Sequence, residues 1–472
     1  MRHGKMLALA ATAWLSLAGQ AMAQGSLRPD QKAFRDLYEE LVNTNTAYSN
    51  GSCTLAAERL LARMKAAGFT AADASVITAP GHAREGNLVA IYPGTSKSLK
   101  PMLLLAHIDV VEAKREDWTR DPFTLIEEDG YFYGRGTADD KSQAAVWVDS
   151  FIRFKQEGYR PKRTIKLAAT CGEESNGEAL NGAEWLARNK PETLSAEFAL
   201  NEGGGGRVMK DGTRQFLAIQ VGEKATRTWE LTTTNPGGHS SVPRPDNAIA
   251  DLALAVTAVQ GVKFPIQLND TTRSFLRQAS PIMAAPVQKA IADLLANEKD
   301  DSAAALLSMD PVYNSTMRTT CVTTMLEAGH APNALPQRAK AIVNCRIAPG
   351  MTAEQTQEAL EKAVGNPAVK FKLRTPFRPM AIQPPLDPRI MEPARELTAK
   401  LFPGVPLIPT MATGATDATY TAMIGIPTYG IPGIFYESDG GGIHGLNERL
   451  RVKSLYDGRD YLHQLIKLYA AR

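Results

Sequence analysis

Apolar and polar positions along the chain form patterns that predict helices and strands in alternation. The segments "DQKAFRDLYEELV" and "TLAAERLLARMKAAGF" have the spacing of amphipathic helices, the second with Thr54 as its N-cap and Gly68 as its stop. Strand patterns occur in "NLVAIYP", "PMLLLAHIDV" and "TIKLAAT", and residues 102–106 are apolar without interruption, as in a central strand covered on both faces. This alternation predicts an α/β fold with a central mixed sheet flanked by helices.

A different pattern occupies residues 223–376. The segment "TRTWELTTTN" alternates as a half-exposed antiparallel strand does. Two helical patterns and a β-hairpin pattern follow it, at 248–260, 287–297 and 318–348. We therefore predict a catalytic domain of residues 24–222 and 377–472, interrupted by an inserted α+β domain at 223–376.

The first 23 residues have the organisation of a secretory signal peptide. Arg2 and Lys5 give a basic start, a mostly apolar run follows at 6–19, and "AMA" at 21–23 is a cleavage signal. The alternative is a buried first helix. No later stretch is long and apolar enough to span a membrane. We therefore expect a secreted protein, exported to the periplasm.

The composition and net charge bear on which partners the protein can have, and the cysteines bear on disulfide formation. The chain is 44% hydrophobic and 22% charged with a formal charge of +3, which is typical of a soluble globular protein and favours neither nucleic acid nor a membrane surface as partner. Cysteines of an exported protein can pair. If the hairpin turns near Asn333, Cys321 and Cys345 lie nearly opposite each other. A disulfide is one possibility there, and two free buried thiols are the other.

Polar residues that suit a metal follow one of the predicted strands. The stretch "LLLAHIDVV" places His107 and Asp109 at a strand end, two residues apart and so on the same face. Asp109 can then accept a hydrogen bond from one ring nitrogen of His107 while the other nitrogen binds a metal. The alternative is a satisfied His–Asp pair in the core.

Further candidate ligands lie in Gly-rich loops or after other strands. They occur in "YGRGTADDKS", "GEESNG", "FALNEGGGG" and "GGGIHGLNERL", as Asp139, Asp140, Glu173, Glu174, Glu202 and His444. Each alone could be a loop or helix-cap residue. Together with His107 they give two imidazoles and three or four carboxylates, which suit two divalent ions bridged by one carboxylate. Zn²⁺ is the favoured ion for this donor set, with Co²⁺ or Mn²⁺ as alternatives.

The motifs "HIDVV", "GRGTADDK", "GEESNG", "NEGG" and "HGLNE" resemble, in order, those of the M20 family of co-catalytic metallopeptidases. The resemblance is strongest to the carboxypeptidase S and aminoacylase branch. It implies a catalytic domain with an inserted lid that mediates homodimerisation. It also implies hydrolysis of an amide bond in short peptides or N-acyl amino acids that carry a free carboxylate. A non-catalytic zinc-binding protein on the same fold is the rival interpretation, whereas a serine hydrolase is disfavoured because the chain has no G-x-S-x-G.

The resemblance also implies a role for each matching residue at the metal centre. Asp139 would bridge two zinc ions, with a cis peptide bond to Asp140, and Glu173 would be the general base beside the catalytic Asp109. The remaining ligands would be His107 and Glu202 for one ion, and Glu174 and His444 for the other.

Other matching residues would bind the substrate. His239 would reach into the partner subunit's active site and stabilise the oxyanion. Asn333 and Arg346 would bind the substrate carboxylate, although Asn344 stands where the family pattern has an aspartate. The stretch "TGATDATY" would be a substrate-binding loop, with Gly414, Thr416 and Asp417.

Overall fold

The computed structural model describes residues 27–175, 179–375, 378–431 and 433–472. The predicted signal peptide and the predicted domain boundary at 377 lie outside these residues. Up to residue 223 the elements are α1 (Pro29–Val42), α2 (Cys53–Ala66), β1 (Ala74–Ile77), β2 (Asn87–Tyr92), β3 (Met102–His107), β4 (Ile126–Glu128), β5 (Tyr131–Tyr133), α3 (Lys141–Gln156), β6 (Ile165–Thr170), α4 (Gly182–Asn189), α5 (Pro191–Leu194), β7 (Phe198–Asn201), β8 (Gly205–Val208) and β9 (Arg214–Glu223).

The next elements are β10 (Ala225–Thr234), β11 (Gly238–His239), α6 (Ala248–Gly261), α7 (Asp270–Ala279), α8 (Ala285–Ala296), α9 (Asp301–Leu307), α10 (Pro311–Met317), β12 (Thr320–Ala328), β13 (Ala334–Leu335), β14 (Arg338–Ile347), α11 (Ala353–Val364) and β15 (Lys370–Leu373). The chain ends with α12 (Pro388–Leu401), β16 (Leu407–Ala412), α13 (Ala418–Met423), β17 (Thr428–Gly430), β18 (Phe435–Glu437), β19 (Arg449–Arg451) and α14 (Val452–Ala470).

A ten-stranded mixed sheet forms the centre of the molecule. Its strand order is β1-β2-β6-β3-β7-β17-β9-β8-β18, with β16 paired to β9, and β3 runs parallel to both β6 and β7. Every residue of β3 is buried. Leu104 belongs to the core that α1, α2, α3, α12 and α14 cover, whereas Leu103 and Leu105 belong to the core beneath α4 and α13. Helices on both faces therefore explain the uninterrupted apolar run, and the predicted fold class is confirmed.

A separate four-stranded antiparallel sheet follows β9. Its order is β12-β14-β10-β15, and the burial of β10 alternates along the strand, with Trp229 and Leu231 facing the core. Helices α6 and α11 cover that face. In the β12–β14 hairpin Cys321 lies opposite Cys345, and the two form a disulfide. Of the two alternatives left by the sequence, the structure has the pair rather than the free thiols.

Two local features differ from the sequence-based expectations. Helix α2 begins at Cys53, and Ser52 caps it by accepting a hydrogen bond from the backbone N–H of Leu55, so Thr54 is not the N-cap. Thr54 instead donates its hydroxyl to a neighbouring loop carbonyl. A second disulfide joins Cys53 to Cys171, and no sequence pattern had indicated it.

No helix in the described ranges combines the length and hydropathy needed to cross a membrane.

The two disulfides should differ in their contribution to stability. Cys53 and Cys171 are 118 residues apart, whereas Cys321 and Cys345 are 24 residues apart. A longer cross-linked loop restricts the unfolded chain more, so replacing the first pair by alanine should lower the free energy of unfolding by about 1.4 kcal/mol more than replacing the second. Denaturant titration of the two double-alanine variants measures this difference. Equal losses would contradict the expectation.

Candidate metal centre

Three neighbouring parallel strands bring the candidate ligands together. His107 is the last residue of β3, Glu173 and Glu174 follow β6, and Glu202 follows β7. Because β6, β3 and β7 are adjacent and parallel, their carboxyl ends meet at one edge of the sheet, where α/β sheets build sites. The sequence could place each residue at a strand end, but the order of the strands brings the side chains into contact.

Asp139 lies between two groups of ligands. Its Oδ1 is 3.1 Å from Nε2 of His107, which is in turn 3.6 Å from Oε2 of Glu202. Its Oδ2 is 3.1 Å from Nε2 of His444, which is 2.7 Å from Oε1 of Glu174. Within each group the ligand atoms all lie within 4.8 Å of one another. One carboxylate thus directs an oxygen to each of two groups, as a bridging ligand does.

The sequence had indicated a hydrogen bond between His107 and the carboxylate of Asp109, and the structure corrects it. Nδ1 of His107 donates to the backbone carbonyl of Asp109 at 3.0 Å, while the carboxylate is 3.6 Å away. The reason is that β3 ends at His107, so the same-face rule does not extend to Asp109. The carboxylate instead accepts the backbone N–H groups of Glu173 and Glu174, at 3.2 and 2.9 Å. Nε2 of His107 remains directed towards Asp139.

Glu448 fixes the loop that carries Asp139, and the sequence had not identified it as a functional residue. Its buried carboxylate accepts the backbone N–H groups of Gly136, Ala138 and Asp139 and pairs with Arg135 at 2.8 Å. Its place in "HGLNE", four residues after His444, was the available signal. The peptide bond between Asp139 and Asp140 is cis, as the family resemblance implied. Asp140 occupies the N-cap position of α3 without making a cap hydrogen bond, so the alternative of a capped turn is not realised.

The charges of the cluster compensate one another within the protein. Burial by itself lowers the pKa of His107, but the nearby carboxylates of Glu202, Asp109 and Asp139 outweigh it and raise that pKa well above its usual value. Hydrogen bonds that His444 donates to Asp139 and Glu174 raise the pKa of His444 to about 10. The carboxylates therefore favour the protonated form of both imidazoles.

The donor set fits two divalent cations. Oε1 of Glu202 is buried and has no hydrogen-bond partner among the described residues, which leaves an anionic oxygen available to a cation. His444 has a left-handed backbone (φ 59°), a conformation that non-glycine residues adopt rarely and mostly where the surroundings require it. Two imidazole nitrogens with carboxylate oxygens are a common donor set for Zn²⁺. Cation binding would displace the two imidazole protons.

Glu173 has a partner that the sequence did not reveal. Nη1 of Arg378 is 2.7 Å from Oε1 of Glu173, and Nη2 donates to the backbone carbonyl of the same residue, also at 2.7 Å. The guanidinium lies 5.9 Å from the ring centroid of Tyr420. Glu173 is also within reach of the ligand atoms of His107 and Glu174, so distance alone does not separate the two glutamates. The pairing with Arg378 does distinguish them.

The predicted substrate-binding loop is anchored beside the cluster. Thr416 donates from its backbone and its hydroxyl to Oε2 of Glu223, at 3.0 and 2.8 Å, and its hydroxyl accepts from Asn201 at the end of β7. Asp417 accepts from Thr170 at the end of β6. Gly414 has open space at the position of a side chain.

The residues predicted in the inserted domain make their hydrogen bonds with neighbouring residues of the same stretch, 223–376. His239 is exposed in β11 and accepts from Ser241, and the backbone of Asn333 accepts from the neighbouring Ser240. No hydrogen bond or ion pair among the described residues joins His239 or Asn333 to the carboxylates of the cluster. Arg346 donates to Thr226 at 2.8 Å on the adjacent strand.

A cavity opens beside the second group of ligands. Its volume is about 260 Å³, and Glu174 and Asp109 form part of its wall. The side chains of Tyr48, Val110 and Val111 contribute apolar surface to it, together with the disulfide that joins Cys53 and Cys171. The cavity therefore gives space next to the candidate ligands.

Comparisons with known proteins agree with this geometry. The model of peptidase family M20/M25/M40 matches residues 103–468. The chain is 29% identical over 382 residues to human N-fatty-acyl-amino acid synthase/hydrolase PM20D1, covering 79% of this chain and 75% of that protein. It is 29% identical over 389 residues to the Dictyostelium discoideum probable carboxypeptidase S-like 2, covering 81% and 74%. The fold resembles that of the M20 family metallo-carboxypeptidase Sso-CP2 from Sulfolobus solfataricus, with a TM-score of 0.69 at 18% identity, covering 94% and 100%.

The position of Asp139 leads to a prediction of metal content. We expect two divalent ions per chain after equilibration with Zn²⁺, one ion in His444→Ala, and less than one in Asp139→Asn, because an amide cannot offer an anionic oxygen to each ion. Metal analysis of the dialysed proteins measures these values. Asp439→Asn is the control, since exposed Asp439 lies in the same loop as His444 and pairs with Arg449. Retention of both ions by Asp139→Asn would contradict the bridging role.

Proposed function

The chain belongs to peptidase family M20/M25/M40 and is a hydrolase, and from this premise we propose that it is an exported dizinc enzyme. It would cleave the amide bond of short peptides or N-acyl amino acids that carry a free carboxylate. The observation that carries the proposal is Asp139, whose two oxygens face separate groups of ligands. His107 and Glu202 would hold one ion, and Glu174 and His444 the other.

The chain's own residues supply proton transfer and orientation. When bound, the two cations would polarise the scissile carbonyl and lower the pKa of the attacking water. Glu173 would accept a proton from that water and deliver it to the leaving amine. Asp109 supports this role by accepting the backbone N–H groups of Glu173 and Glu174. The fixed backbone would hold the Glu173 carboxylate for proton transfer and the Glu174 carboxylate for the metal.

The inserted domain would complete the site in a homodimer. We take this domain as residues 223–376, because the chain passes from the ten-stranded sheet to the four-stranded sheet between β9 and β10. His239 is exposed there, which suits a residue that reaches the active site of a second copy and donates to the developing oxyanion. Asn333 lies beside it and would help to bind the substrate.

The substrate class follows from charge and space. Arg346 has the forked geometry that binds a carboxylate, and Gly414, Thr416 and Asp417 belong to a loop tied to the strand ends. The cavity beside Glu174 leaves room for the acyl side of the scissile bond. The names of the relatives, N-fatty-acyl-amino acid synthase/hydrolase and carboxypeptidase S-like, support both N-acyl amino acids and peptides.

Export and catalysis are each supported by a further observation. All four cysteines are paired, which suits an oxidising compartment and the predicted signal peptide. A non-catalytic zinc-binding protein is disfavoured because the base and both groups of ligands are retained together.

Removing the base should abolish turnover without removing the metal. In Glu173→Gln we expect kcat to fall by about 10²–10⁴-fold, because the amide cannot accept the proton, while metal content stays at the wild-type value. Steady-state kinetics with a dipeptide and an N-acyl amino acid, together with metal analysis, measure both. Glu184→Gln, which removes a surface carboxylate paired with Arg188, should match the wild type. Loss of metal in Glu173→Gln would assign Glu173 to the ligands instead.

Metal removal distinguishes the enzyme from a protein that merely binds zinc. We expect the wild type to hydrolyse members of a panel of Gly-X, β-Ala-X and N-acyl substrates. Chelator-treated protein should be inactive, because the attacking water has no cation to lower its pKa. Addition of Zn²⁺ should restore the activity. A product assay by chromatography measures this. Zinc binding without hydrolysis of any panel member would support the non-catalytic alternative.

A further inference from the structure

Arg378 forms an ion pair with Glu173, the residue that we propose as the general base. Its two terminal nitrogens bind Oε1 and the backbone carbonyl of Glu173, both at 2.7 Å. The pair lies in a largely buried place, with side-chain exposures of 18% for Arg378 and 9% for Glu173. Charge-assisted hydrogen bonds of this kind are short and strong. While Arg378 stays there, Oε1 is not free to accept a proton from water.

A second arginine, Arg346, lies on β14 without a carboxylate partner among the described residues. The guanidinium of Arg346 donates to the neutral hydroxyl of Thr226, and no carboxylate among the described residues forms an ion pair with it. Arg227, which follows Thr226 on β10, donates to the backbone carbonyl of Arg378 at 2.7 Å, so two adjacent residues of one strand contact the two arginines. Burial, and then the charge of Arg378, lower the pKa of Arg346. Two partly buried like charges repel, and an anion between them would offset that repulsion. The pair therefore forms a place for a carboxylate.

We propose that the free carboxylate of the substrate binds between Arg346 and Arg378 and draws Arg378 away from Glu173. Arg378 would exchange one carboxylate partner for another, so the number of ion pairs is conserved. Oε1 of the base then becomes free only when a substrate with a carboxylate is in place. Arg378 is thus a specificity-determining residue for N-acyl amino acids and peptides with a free C-terminus. This role rests on the hydrolase function proposed above.

Two matched substrates test the exchange in the zinc-loaded protein, namely an N-acyl amino acid and its carboxamide. In Arg378→Gln, kcat/KM for the carboxylate substrate should fall about 10- to 100-fold, which is the loss expected for a charge-assisted hydrogen bond. The kcat for the carboxamide should rise, because Glu173 no longer has to be released. A purely structural role for Arg378 would lower both.

Control variants separate the possible outcomes. Arg374→Gln removes an exposed arginine from the same segment and should match the wild type. Arg378→Lys keeps the charge without the fork, so its preference for carboxylate over carboxamide should lie between those of the wild type and Arg378→Gln. If Arg378→Gln does not fold, the lysine variant decides, and an unchanged preference there overturns the inference.

The result also separates this inference from the function on which it rests. If the zinc-loaded wild type cleaves neither substrate, the proposed function fails. If the wild type cleaves the N-acyl amino acid but Arg378→Gln keeps the same preference, or loses both activities in parallel while folded, only the role of Arg378 is overturned.

Discussion

The crowding of carboxylates at one edge of the central sheet is the constraint on which the rest of the site depends. Asp139, Glu174 and Glu202 converge with two imidazoles where three parallel strands end. Taking like charges out of water is unfavourable unless opposite charges or hydrogen-bond donors compensate for it. The raised pKa values of His107 and His444 favour the protonated imidazoles, whose charge compensates the carboxylates. Two divalent cations would replace those protons and leave the same ligands in place.

Two further carboxylates hold the loops rather than a metal. Asp109 accepts the backbone donors of Glu173 and Glu174, and Glu448 accepts those of the loop that carries Asp139. Because Glu448 lies in the same C-terminal loop as His444, one buried carboxylate connects the loops that carry the candidate ligands Asp139 and His444. Both carboxylates act by accepting backbone N–H groups. Their residue type alone therefore does not distinguish them from candidate metal ligands.

The proposed base lies next to the residues that would recognise the substrate. Arg378 follows the last strand of the four-stranded sheet, Arg346 lies on β14, and Glu223 anchors Thr416 at the end of β9. Burial raises the pKa of Glu223 to about 7, against hydrogen bonds from Thr419 and Thr416 that lower it. In the proposed mechanism, the crossing between the two sheets is thus where substrate recognition and proton transfer would come together.

Local chemistry in the sequence determined much of the fold and of the candidate site. The apolar run of β3 required a sheet covered on both faces, the alternation of β10 required a half-exposed strand, and both are present because such patterns depend only on neighbouring residues. The motifs likewise identified the candidate ligands and, through the family, the cis bond at Asp139.

Only the tertiary structure decided which groups meet. The acceptor for His107, the pairing of Cys53 with Cys171 and the contact between Arg378 and Glu173 join residues from different elements. Their contact depends on where each strand ends and on which strands are neighbours. The sequence by itself therefore determined which chemical groups were available, and strand order and loop packing decided their partners, since those partners are set by three-dimensional distance and not by spacing along the chain.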